Sequence, residues 1–100
     1  MPDKTAQCPV TVQMPQGLHL RPADMLVKAV SRYQSRVTLG RPNDHERFDC
    51  RSILSLMTVA AVQGTELVVF AEGDDCEQAV AEVARLFDEG FGELNGSTSE

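Results

Sequence analysis

The sequence predicts an α+β fold, a two-layer open-faced β-sandwich in which a four-stranded, largely antiparallel sheet carries helices on one face. Three observations lead there. Four short stretches alternate apolar and polar residues or are apolar throughout, as half-buried and central strands do. Two longer stretches each carry one apolar stripe at helical spacing, and such stripes are best buried side by side on one sheet face, leaving the other face open. A short polar turn joins the middle two strands into a hairpin, which excludes a purely parallel sheet.

The element order is β-α-β-β-α-β-α. Cys8, Val10, Val12 and Met14 alternate with Pro9, Thr11 and Gln13, a strand with one buried face. Proline lacks the N–H a ladder needs, so Pro9 puts that strand at an edge or an entrance. After a turn at residues 15–17, Ala23, Leu26, Val27 and Val30 share one helical face, opposite Asp24, Lys28, Ser31 and Arg32. This helix is expected to end near Tyr33. Val37 and Leu39, then Phe48 and Cys50, alternate on either side of the turn segment 40–44 and form the hairpin. Residues 52–61 are apolar on more than one side and read as a short helix with Ser52 as N-cap and Gly64 closing it. Leu67 to Ala71 is apolar on both faces, which suits a central strand. The last helix presents Cys76, Ala79, Val80, Val83, Leu86 and Phe87 on one face, with Asp74, Asp75 and Glu77 at its positive start. Gly90 ends it, and residues 92–100 are expected to be a mobile tail.

One hundred residues make a single domain, with its core over about residues 8–89, and leave no room for a multidomain enzyme. No apolar run approaches the roughly 18 residues that span a bilayer, and Met1, Pro2, Asp3 and Lys4 do not open a signal peptide, so a cytoplasmic protein without membrane insertion is expected. Cys8, Cys50 and Cys76 form no CxxC pair and no zinc spacing, which points to reduced, core-packed thiols and to no metal or other cofactor. Charge is uneven. Residues 1–65 hold eight Lys/Arg against five Asp/Glu, and residues 66–100 hold one Arg against ten acids. So acidic a second half argues against nucleic acid as a partner, and the mildly basic first half is where an anion would bind.

The chemistry concentrates at Gly17-Leu18-His19-Leu20-Arg21-Pro22-Ala23. Proline is tolerated in the first helical turn, where N–H groups have no intrahelical acceptor, so Pro22 marks a helix start and places His19 at or just before the N-cap. Exposed N–H groups and the positive end of the macrodipole make that place an anion site. The same field favours a neutral imidazole with one nitrogen free as a nucleophile. Arg21 can add charge-assisted hydrogen bonds to an anion bound there. The commoner reading of a histidine beside an arginine is a surface N-cap with a solvated cation, and the residues alone leave the choice open. His45, with no helix start or proline near it, reads as a surface residue.

Gly17-Leu18-His19-x-Arg21-Pro22-Ala23 resembles the active-site motif of the HPr family, the histidine-containing phosphocarriers of the bacterial phosphoenolpyruvate-dependent sugar phosphotransferase system. Arg51-Ser52-Ile53-Leu54-Ser55-Leu56-Met57 resembles that family's regulatory-serine segment. Gln63-Gly64-Thr65 and Ala71-Glu72-Gly73-Asp74-Asp75 resemble its fourth strand and last helix start. The resemblance implies that His19 accepts a phosphoryl group on Nδ1 from phosphorylated enzyme I and passes it to enzyme IIA domains, with Arg21 helping to bind it. A monomeric carrier that turns over only with its partners is the expectation. By the same resemblance Ser52 matches a serine that a dedicated HPr kinase/phosphorylase modifies in some lineages; its other reading is a plain N-cap. Leu54, Leu56 and Met57 are each either core or docking surface, and a short helix cannot bury all three; Leu20, Leu54 and Met57 form the expected docking patch. Leu20 and Asp24 depart from the family's usual small or uncharged residues, Asp24 bringing a carboxylate near the site, and the loop 40–44 is slightly longer than usual.

Two other functions compete. A regulatory paralogue, for example of the nitrogen-related branch, would be phosphorylated at His19 but used for signalling. A ferredoxin-like ligand-binding or metal-chaperone domain would want a CxxC or a carboxylate cluster at a loop, and the sequence has neither.

Overall fold

A computed structural model describes residues 4–93. The elements are β1 (Thr5–Thr11), α1 (Leu20–Val30), β2 (Arg36–Gly40), β3 (Phe48–Asp49), α2 (Ile53–Met57), β4 (Glu66–Glu72), α3 (Cys76–Asp88) and a closing 3-10 turn, Gly90–Gly92. One antiparallel sheet runs in the order β1-β4-β2-β3. The predicted architecture and element order hold. Leu67, Val69 and Ala71 of β4 point into the core under the helices, while Val68 and Phe70 lie half-buried on the open face. Two-sided apolarity therefore does mark the central strand. On the open face the Arg47 guanidinium sits 3.9 Å from the Phe70 ring centroid and shields it.

β1 is an edge strand with Pro9 opposite Val68, so the missing N–H interrupts a ladder that has only one neighbour. Its regular pairing covers Thr5–Thr11, earlier than the Cys8–Met14 alternation predicts. Val12 and Met14 are buried all the same, because the chain continues under the core: Val12 N donates to Thr65 O (2.9 Å) and Gly64 N donates to Val12 O (2.8 Å).

α1 and α3 cover the sheet with Leu26, Ala29, Val30, Ala79, Val83 and Phe87. A fully buried leucine such as Leu26 contributes about 1.5–3 kcal/mol through area removed from water. α1 ends at Val30, before Tyr33. Ser31 Oγ donates back to Val27 O (2.7 Å), Tyr33 N donates to Val30 O (3.0 Å), and Arg51 donates to the carbonyls of Val30 and Ser35 (each 3.0 Å) and of Tyr33. Side-chain donors thus satisfy carbonyls that a longer helix would have used.

α2 is half the length that residues 52–61 suggest. Thr58 Oγ1 and Thr58 N both donate to Ser55 O, Val59 N donates to Leu56 O, and Ala60 takes a left-handed φ of 54° that no helix continues through. Gly64 therefore closes the following turn and not the helix. Cys50 and Cys76 are buried as expected; Cys8, on the sheet edge, is half-buried. Burial, reinforced by Asp49, pushes the Cys50 thiol far above its usual range. No described helix is long and apolar enough to cross a membrane. Of the segment 92–100 expected to be a tail, residues 94–100 lie outside the described residues, whereas Gly92 and Glu93 belong to the fold.

Candidate functional site

His19 stands at the N-cap of α1 with extended backbone (φ −94°, ψ −169°), and its ring makes no hydrogen bond to the helix it begins. Two local devices put it there. Gly17 N donates to Met14 O (2.9 Å), and Gly17 turns at φ 75°. Leu18 N then donates to Ala61 O (3.0 Å), pinning the loop to the chain beyond α2. A Cβ at Gly17 would fall 2.3 Å from Ala61 O, so glycine is required by both backbone angle and space. Pro22 is buried in the first turn, where its missing N–H removes no helical bond. The Leu20 and Arg21 N–H groups, by their place in that turn, have no intrahelical acceptor.

The His19 side chain is about a third exposed (31%), and Nε2 lies 2.8 Å from Glu93 Oε2. The same carboxylate oxygen accepts from Arg21 Nη1 (3.1 Å), which also donates to Phe91 O (3.2 Å). His19, Arg21, Gln16, Gly92 and Glu93 line one shallow depression. With Nε2 donating to a carboxylate, a neutral imidazole keeps its lone pair on Nδ1. The arrangement can therefore offer a nucleophilic nitrogen, an adjacent guanidinium and a positive helix start to one anion, with α1 supplying the field.

Glu93 arrives by a sharp reversal after α3. Gly90, Phe91 and Gly92 have φ of 60°, 53° and 81° in succession. A non-glycine residue in that region costs about 1–2 kcal/mol. Phe91 tolerates it because its ring is fully buried, edge-on to Phe87 with centroids 5.0 Å apart. Sequence reasoning missed Glu93. The available signal was Phe91, a large apolar residue between two glycines just past a helix end, which reads as an anchor and not as the start of a tail.

Ser52 caps α2: its Oγ accepts from Ser55 N (3.1 Å). Leu56 is core, whereas Leu54 (82% exposed), Leu20 and Met57 (39%) are exposed, on α2 and on the α1 that it packs against. Val62, next to Gly17, is a further exposed apolar residue that was not anticipated. Asp24 pairs with Lys28 one turn on (3.0 Å), so its charge is locally countered. His45 is exposed in the hairpin loop, away from any helix start. Among the described residues, no group of three or more His, Cys, Asp or Glu could hold a metal ion.

Comparison with known proteins matches the chain to a family model described as "PTS HPr component phosphorylation site" over residues 6–89. The chain is 40% identical over 77 residues to phosphocarrier protein HPr of Treponema pallidum (strain Nichols), covering 77% of this chain and 85% of that protein. It is 34% identical over 80 residues to the HPr-like protein Crh of Bacillus subtilis (strain 168), covering 80% and 92%. Among solved structures it is similar to HPr-C-His from Thermoanaerobacter tengcongensis, with a TM-score of 0.81, 30% identity, and coverage of 88% of this chain and 97% of the other.

Proposed function

The chain belongs to the HPr family, the phosphocarriers of the phosphotransferase system, and on that premise we propose that His19 accepts a phosphoryl group from phosphorylated enzyme I and delivers it to enzyme IIA domains. The observation that carries this reading is the uncapped His19 ring at the start of α1, with Nε2 engaged, Nδ1 left as the nucleophile and Arg21 beside it. The reaction asks little covalent chemistry of the protein. In-line transfer to Nδ1 depends on positioning and on stabilising charge over the phosphoryl oxygens, which the α1 N-terminus and Arg21 do together. Leu20, Leu54 and Met57 supply the apolar docking surface that both partners contact. The carrier acts as a cytoplasmic monomer.

Incubation with phosphoenolpyruvate and enzyme I, followed by intact-mass measurement, tests the reading. One acid-labile phosphoryl adduct is expected on the wild type and none on His19→Ala; label retained by His19→Ala would refute it.

Similarity to the HPr-like protein Crh, described as the Bacillus subtilis catabolite repression HPr, leaves open a second reading, a regulatory member phosphorylated at His19 and used for signalling. The phosphorylated protein separates the two. A carrier loses its phosphoryl group to an added IIA domain, and a signalling member keeps it. In either case Ser52 is the position where an HPr kinase/phosphorylase would act, placing about −1.5 to −2 charge next to Leu54 on the docking face.

A further inference from the structure

We propose that Glu93 is a positioning residue for the phosphoryl acceptor, fixing the tautomer of His19 and countering the charge that the ring gains on reaction. This rests on the reading of His19 as the acceptor. Its carboxylate takes a 2.8 Å contact with Nε2 and is four-fifths buried, although it sits just past the last turn of the described chain. The approach is built, not incidental: the buried Phe91 ring anchors three successive left-handed residues that turn the chain back across α1, and Arg21 grips both Phe91 O and Glu93 Oε2.

The chemistry follows from which nitrogen holds the proton. With Nε2–H donating to Glu93, the Nδ1 lone pair forms the new N–P bond while the bond from phosphorus to the donor atom of phosphorylated enzyme I breaks, its electron pair leaving with the donor. His19 keeps its Nε2 proton and becomes a phosphoimidazolium, so positive charge develops on the ring. A carboxylate on the opposite nitrogen steadies that charge without taking the proton, as in other histidines oriented by an acid. Arg21 stays available. Among the described residues both its hydrogen bonds run through Nη1, and the Nη2 and Nε donors can meet phosphoryl oxygens.

The test compares Glu93→Gln and Glu93→Ala with the wild type, using ring ¹⁵N shifts of His19 under conditions where the imidazole is neutral, and the rate of transfer from phosphorylated enzyme I. Wild type and Glu93→Gln should hold the Nε2–H tautomer, since an amide oxygen still accepts. Glu93→Ala should become a mixture with Nδ1–H and transfer about tenfold more slowly, the loss expected for one charge-assisted hydrogen bond. Glu93→Gln, keeping the tautomer but not the charge, should fall between. Unchanged tautomer and rate in Glu93→Ala would overturn the proposal, as would a lower melting temperature with the tautomer intact. Failure of His19 as acceptor would appear separately, as label on His19→Ala.

Discussion

The starts of α1 and α2 use the same position in opposite ways. At α2 the Ser52 hydroxyl turns inward and accepts from Ser55 N, so the side chain completes the helix. At α1 the His19 ring leaves its own helix uncapped and is held from outside by Glu93, 74 positions further along the chain. A capped start is self-sufficient. An uncapped start whose side chain is fixed by another element keeps its N–H groups and a ring nitrogen for something that arrives later.

The largest effect that this contrast predicts is on His19 itself. His19→Ala should abolish phosphorylation by enzyme I, read by intact mass, yet leave the melting temperature nearly unchanged because the ring caps nothing. A steep drop in stability would erase the contrast. His45→Ala, as a control, should be phosphorylated like the wild type.

Next comes Arg21. Among the described residues its half-exposed guanidinium meets Glu93 and the backbone carbonyl of Phe91 at the site and no core side chain. Arg21→Ala should lose roughly 1.5–3 kcal/mol of transition-state stabilisation, a transfer rate lower by one to two orders of magnitude in rapid-quench kinetics. Little change in the thermal melt is expected.

Ser52→Ala should show the mirror image. Loss of the cap costs about 1 kcal/mol, visible as a few degrees in the melt, with His19 phosphorylation unaffected. Ser52→Asp should keep the cap and the fold but slow phosphorylation by enzyme I, because an anion beside Leu54 is costly to desolvate at the docking face.

α3 sharpens the comparison with a smaller effect. Its N-cap residue, Asp75, also makes no cap bond, but its carboxylate accepts from Gln34 N (2.9 Å) and from Ser35 N (2.9 Å) and Oγ (2.5 Å), and so ties α3 to the turn before β2. An uncapped start is thus a reactive one only when its side chain is left a free valence. These hydrogen bonds, that of the Ser35 hydroxyl foremost, hold the Asp75 carboxyl below its ordinary value of 3.8. A depressed folded value means the stabilisation is fully present above that ordinary value and fades as pH falls through the lowered one. Urea midpoints of wild type and Asp75→Asn should therefore differ by a constant amount at neutral and mildly acidic pH and converge below about 3.8. A gap that widens on acidification would contradict this sign.

Much of the fold was legible because burial writes a period into local sequence, as in β4, α1 and α3. The same rule explains the misplacements. Val12 and Met14 alternate correctly with buried sites but lie past the regular ladder of β1, and residues 58–61 are apolar because Val59 and Ala61 are buried, not because they are helical. His19, Arg21 and Ser52 were legible because a helix start is a local event that Pro22 and a serine announce. Glu93 was not. Its role depends on a reversal at Gly90, Phe91 and Gly92 and on a meeting with residues more than seventy positions away, which no periodicity encodes.

The unequal burial of the three cysteines makes the protein easy to label at one point. Cys50 is sealed under the sheet edge with its thiolate strongly disfavoured, and Cys76 is buried at the start of α3, whereas Cys8 is partly open on β1. A limiting amount of maleimide should therefore tag Cys8 first. The dye would then ride on an edge strand, with the other two thiols serving as internal witnesses that the domain is still closed.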